Sequence, residues 1–221
     1  MKNLLIYSIL LLLANGCGEE KLAATRPNIE TAVLKHKQTT IGFQEGDIIF
    51  QTSQSEQSKA IQLATHSNYS HVGIIFKSNN TLLVYEAVQP VKFTPIEQWI
   101  KRGDGGHYVV KRLKNAENLL HKEVIEKMKK ISNNYLGKNY DIHFEWSDDK
   151  IYCSELVWKI YKQSTGIEIG KLTELRSFDL SHPIVKQKMK ERYGTNIPLH
   201  EKVISPAAMF NSVKLITVKE E

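Results

Sequence analysis

The residue with the most chemistry to offer is Cys153, in Tyr152-Cys153-Ser154-Glu155-Leu156-Val157-Trp158. The chain has two cysteines, and the other, Cys17, ends an apolar leader and has a separate explanation. A thiol attacks a carbonyl well only as thiolate. Cys153, Leu156, Val157 and Ile160 stand at i, i+3, i+4 and i+7, which puts the thiol on the core face in the first turn of a helix predicted over 154–163. A helix N-terminus favours an anion there. A small hydrophobe capping the same stripe would be spaced identically, so position alone leaves both readings open.

A nucleophilic thiol needs a base. His71 opens the apolar run His71-Val72-Gly73-Ile74-Ile75-Phe76, and the following run, Thr81-Leu82-Leu83-Val84-Tyr85-Glu86, ends in a carboxylate. With Lys77-Ser78-Asn79-Asn80 as the turn and Lys77 pairing Asn80, His71 faces Glu86 directly, Cβ atoms about 5 Å apart. A one-residue slip would break the pairing. Such a carboxylate would fix the tautomer of the histidine and stabilise its charged form. A partly exposed histidine at a strand end would occupy the same position in the sequence. His143, ten residues before Cys153, is the rival base, although no carboxylate on a paired strand orients it. His66, His107 and His121 lie in polar surroundings and are expected at the surface. Among His66, His71 and His143 no pair has a metal-site spacing, and nothing resembles Cys-x2-Cys, so no metal is expected. A nucleophile elbow, a phosphate-binding loop and a dinucleotide fingerprint are also missing from the sequence, so no cofactor is expected.

Several elements must position these groups. Gly46-Asp47-Ile48-Ile49-Phe50 reads as turn then strand. A helix is expected over 56–66 with Ile61 and Ala64 on its apolar side, another over 94–100 with Pro95 in its first turn, and a strand over 107–113. Leu119, Leu120, Val124, Ile125, Met128 and Ile131 recur at helical spacing and predict one helix over 117–133. After the cysteine helix come a polar helix near 183–193, a helix started by Ser205-Pro206 and a strand over 213–218. This irregular order predicts an α+β fold with a mainly antiparallel sheet packed against the cysteine-bearing helix.

Met1-Lys2-Asn3 and the apolar run 4–13 form an expected signal peptide over 1–16, too short to span a bilayer. Ala14-Asn15-Gly16-Cys17 resembles a lipoprotein cleavage box with Ala14 where leucine is preferred. The expectation is lipidation of Cys17, with plain secretion as the alternative, then a tether over 17–40 and one globular domain over 41–221. The formal net charge of +6 falls to +5 when Lys2 leaves with the leader. Lysine and glutamate are mixed along the chain, which suggests solvated faces with a modest bias towards anionic surfaces. No focused basic stripe points to nucleic acid.

Taken together, Gly46-Asp47-Ile48-Ile49-Phe50, Tyr69-Ser70-His71-Val72-Gly73, Tyr85-Glu86-Ala87, Leu136-Gly137-Lys138-Asn139-Tyr140-Asp141 and Tyr152-Cys153-Ser154-Glu155-Leu156-Val157 resemble the circularly permuted branch of the NlpC-type papain-like cysteine hydrolases, the YiiX-like permuted amidases. The resemblance runs from about Gly42 to the C-terminus. It implies a permuted papain-like fold, with the order His71, Glu86, Cys153 in place of cysteine first. It further implies Cys153 as nucleophile, His71 as base and acid, Glu86 as the orienting residue, and an oxyanion site made of the Cys153 N–H and Tyr140. Asn139 departs from the proline usual before that tyrosine, and Glu86 stands where many relatives carry His, Asn or Gln. The expected protein is an envelope-anchored cysteine amidase or peptidase, held to a membrane through Cys17 and acting on a wall peptide or an N-acyl substrate. The alternative is a lipid- or acyl-binding, or lipid ester-hydrolysing, lipoprotein with the same pocket. Oligomeric state is not legible in the sequence.

Overall fold

The computed structural model describes residues 42–221; the expected leader, tether and Cys17 lie outside them. In chain order the main elements are β1 (Ile48–Ser53), α1 (Glu56–Thr65), β2 (His71–Ser78), β3 (Thr81–Glu86), β4 (Lys92–Pro95), α2 (Ile96–Arg102), β5 (Gly103–Leu113), α3 (Ala116–Leu119) and α4 (Lys122–Asn133). There follow β6 (Asn139–Tyr140), β7 (Lys150–Ile151), α5 (Cys153–Thr165), β8 (Thr173–Glu174), α6 (Pro183–Tyr193), β9 (Lys202–Val203), α7 (Pro206–Phe210) and β10 (Leu215–Glu220).

Six strands form one antiparallel sheet in the order β10-β5-β1-β2-β3-β4. Alternate residues face opposite sides. Ile48, Phe50, Val72, Ile74 and Tyr85 pack with Leu156, Val157 and Ile160 of α5. Ile49, Ile75, Leu82 and Val84 pack instead with Ile96 and Trp99 of α2. The sheet is therefore covered on both faces. The predicted core stripe of the cysteine helix is fully buried. Gly166 ends that helix in the left-handed region at φ 77°, where glycine carries no Cβ penalty.

Three expectations change. The β2–β3 hairpin pairs Ser78 with Thr81 and Lys77 with Leu82, not Lys77 with Asn80. Asn79 and Asn80, at φ 45° and 65°, form a two-residue turn with both central residues left-handed, and asparagine is among the few side chains that tolerate this. The helix expected from Thr94 begins only at Ile96. Thr94 is pushed to extended backbone by the proline after it, joins β4 opposite Val84, and leaves Pro95 as the N-cap. The long helix over 117–133 is two helices. His121 interrupts it with φ −66° and ψ 168°, and the break sets Leu120 and Ile125 against Gly46, where a Cβ would stand 2.8 Å from Leu120 Cδ1 and 3.2 Å from Ile125 Cδ1.

The new register matters for the site. Continued by one step, it sets Gly73 opposite Glu86, and His71 becomes a diagonal neighbour of Glu86 on the same face. A Cβ on Gly73 would lie 2.4 Å from Val84 Cγ1, 2.9 Å from the Tyr85 carbonyl oxygen and 3.5 Å from Glu86 Cβ. Gly73→Ala should therefore push β3 away and cost about 1–3 kcal/mol of stability, read as a lower midpoint in urea; an unchanged midpoint would contradict this packing.

Candidate active site

Tyr152 caps α5 from extended backbone, so Cys153 is its first residue. At that position the Cys153 N–H has no acceptor inside the helix. The side chain is buried, and it lies near enough to His71 and Tyr140 to push the pKa of each upward. His71 Nε2 lies 2.6 Å from Glu86 Oε2, which leaves Nδ1 as the ring nitrogen for the thiol. The three residues expected to act together are thus brought together, with Glu86 reaching His71 diagonally.

Glu86 has no exposed surface, and a buried carboxylate is costly unless it is paired and hydrogen-bonded. It accepts from Thr94 Oγ1 at 2.6 Å, Trp99 Nε1 at 2.9 Å and Arg102 Nη2 at 2.5 Å, besides its contact with His71. Burial alone would raise its pKa. The hydrogen bond and charge of His71, with Arg102 and Thr94, outweigh burial and bring it down to about 2. For His71, burial disfavours the charged ring, but hydrogen bonds and charge from Cys153 and Glu86 win and raise its pKa to about 9. The Trp99 ring stacks on the imidazole with centroids 5.9 Å apart, which fixes the ring plane as well.

Tyr140 sits in β6, which pairs in parallel with β7 immediately before the cysteine helix. Gln89 clamps this segment: its Oε1 accepts the Tyr140 N–H at 2.7 Å and its Nε2 donates to Asn139 Oδ1 at 2.6 Å. Asn139, the departure from the expected proline, thus has a use of its own. Burial and the neighbouring Cys153 push the Tyr140 phenol up, so it remains a proton donor. Gln57 of α1 donates to the Tyr140 hydroxyl at 3.0 Å.

The other histidines stand elsewhere. His143 packs its ring on Tyr193 at 5.8 Å. His66 is exposed beside Asp179, and His107 and His121 are also largely exposed. Residues that sequence reasoning missed are Thr94, Trp99 and Arg102 around Glu86, and Gln57 and Gln89 around Tyr140. The one available hint was Trp99, an indole that must find an acceptor when buried.

Cys153 also lines a mainly apolar cavity between α1 and α6. Ala60, Ala64, Leu175, Phe178, Val185 and Met189 are among its walls.

The family model described as "Permuted papain-like amidase enzyme, YaeF/YiiX, C92 family" matches residues 42–219. "Uncharacterized protein YiiX" of Escherichia coli (strain K12) is 52% identical over 178 residues, 80% of this chain and 87% of that protein. A crystal structure described as "metalloprotein yiiX from Escherichia coli O157:H7" superposes with a TM-score of 0.78 at 53% identity, covering 81% of this chain and 98% of that one. Among the described residues of this chain, no three His, Cys, Asp or Glu side chains gather as a metal site would require.

The two shifted pKa values fix the sign of the pH dependence. Glu86, lowered from 4.5 to about 2, stabilises the fold above pH 4.5, and that contribution is lost as pH falls towards 2. His71, raised from 6.5 to about 9, stabilises it below pH 6.5, and that contribution is lost as pH rises through 9. In Glu86→Gln the His71 ring should titrate below 9 by NMR, and urea midpoints should lose the acid-side slope and part of the alkaline-side one, the part due to Cys153 remaining. A His71 titration unmoved by Glu86→Gln would contradict the coupling.

Proposed function

Because this chain belongs to the permuted papain-like amidase family, whose chemistry is that of a cysteine hydrolase, we propose that it hydrolyses an N-acyl amide through Cys153, His71 and Glu86, with the acyl chain in the apolar cavity. The observation that carries this reading is the position of Cys153 in the wall of a cavity whose exposed surface is mainly apolar, with Lys188 and Arg192 also among its lining residues. A wall peptide, polar along its length, would leave that surface badly matched.

The steps follow from the geometry. The thiol gives its proton to His71, and Sγ attacks the carbonyl carbon to form a C–S bond. The Cys153 N–H and the Tyr140 hydroxyl stabilise the oxyanion, with Gln57 and Gln89 as positioning residues for Tyr140. The C–N bond breaks as His71 protonates the departing nitrogen, and the amine leaves. Water then attacks the thioester, giving a proton to His71. The C–S bond breaks and the carboxylic acid is released. Glu86 stays ionised throughout, holds the ring in register and stabilises its charged form, and Arg102, Trp99 and Thr94 keep Glu86 in place.

We further propose that the mature chain begins at a lipidated Cys17 and works at a membrane outside the cytoplasm, where acyl amides are at hand. Cys17→Ser should then move the protein from the membrane to the soluble fraction.

For the reaction, Cys153→Ala and His71→Ala should each lower hydrolysis of N-lauroyl p-nitroanilide at least about 100-fold, while His143→Ala keeps it. Ala64→Phe, which fills the cavity, should shift preference from lauroyl towards acetyl by about tenfold. Loss from His143→Ala but not His71→Ala would make His143 the base. An unchanged chain-length preference in Ala64→Phe would put the acyl chain elsewhere.

A further inference from the structure

A second cavity opens on the His71 side of the site, and its lining is more polar than that of the first, although the first also carries two cationic side chains, Lys188 and Arg192. Its walls include Gln51, Ser58, Ser70, His71 and Arg102, and it shares Gln57, Ile61 and Tyr140 with the apolar cavity, so the two meet beside the Cys153–His71 pair. The lining carries two cationic side chains, His71 and Arg102, and neither an Asp nor a Glu. Glu86 lies behind the imidazole with no exposed surface and is already engaged by four partners. The Arg102 side chain, by contrast, is 42% exposed.

Gln51 is the unexplained group here. It pairs with His71 across β1 and β2 and is 1% exposed, yet neither its Nε2 nor its Oε1 has a hydrogen-bond partner. A buried amide left unsatisfied costs stability, and strands of this kind ordinarily place an apolar side chain at such a position. Room for it is kept by Gly103, where a Cβ would stand 2.4 Å from Gln51 Oε1.

We propose that this polar cavity is the leaving-group site, and that it selects an amine bearing a carboxylate, which makes the substrate an N-acyl amino acid. The inference rests on the acyl-amide reading above. The direction follows from the reaction: the acyl carbon bonds to Sγ, so its chain lies on the Cys153 side, and the nitrogen takes its proton from His71, so the amine lies on the His71 side. Arg102 supplies the charge for the carboxylate, and the Gln51 amide supplies a donor and an acceptor for the same head.

The test compares N-lauroylglycine, N-lauroylethanolamine and p-nitrophenyl laurate on wild type, Gln51→Leu and Arg102→Gln. The expected result is a kcat/KM at least about tenfold higher for the glycine than for the ethanolamine compound, with that ratio falling towards one in both variants. Because the readout is a ratio on one protein, a general loss of activity cancels. Gln51→Leu removes two unsatisfied atoms and should fold at least as stably as wild type. Cys153-dependent hydrolysis of p-nitrophenyl laurate with no preference for the carboxylate head, or with a preference that both variants retain, would overturn the leaving-group assignment and leave the hydrolase reading standing. No Cys153-dependent turnover of any of the three would overturn both.

Discussion

A carboxylate with no access to water organises this site. Taking Glu86 out of solvent costs several kcal/mol, and the fold offsets that with three donors from two successive elements after β3: Thr94 on the edge strand, then Trp99 and Arg102 on the helix that follows. His71 is the fourth partner, and its protonated form is the one that balances the charge. The imidazole is thereby held in plane, and its protonated form favoured, by a group with no exposed surface. Removing the carboxylate would unsettle Arg102 as well as His71, which couples the folding of β4 and α2 to the chemistry.

The sheet separates two tasks. On one face α5 buries a wholly apolar stripe and delivers Cys153 at its first turn, where the N–H is unspent. On the other face α2 covers the Glu86 network. The two faces meet only at the strand ends, where His71 begins β2, and the thiol meets the imidazole there. The surroundings of this junction differ in degree, with mainly apolar surface beyond Cys153 and a larger share of hydroxyl, amide and guanidinium groups beyond His71.

Much of this was legible in the chain. The helical stripe behind Cys153 and the strand runs ending at His71 and Glu86 were read from periodicity, and the order of the motifs pointed to the family. The hairpin register was misread by two residues, yet His71 and Glu86 stayed on one face, because the side-chain period of a strand is two. The error hid the role of Gly73, whose missing side chain lets β3 lie close at Val84 and Tyr85. Thr94, Trp99 and Arg102 were invisible for a different reason. Their contacts depend on how an edge strand and a short helix fold back over the sheet, and no local pattern in Lys92–Arg102 encodes a buried acceptor. Gln57 and Gln89, far in sequence from Tyr140, were hidden in the same way. Gln51 lies one residue past the strand segment read from the sequence, and only its burial without a partner marks it.

The central claim is that His71 activates Cys153. The most direct test is the rate of Cys153 alkylation by iodoacetamide at pH 7 in soluble protein lacking residues 1–17, comparing wild type with His71→Ala. The account predicts rapid alkylation in wild type and a rate at least about tenfold lower without the imidazole. Equal, slow rates in the two proteins would contradict it and make Cys153 a buried residue of the helix stripe with no part in chemistry.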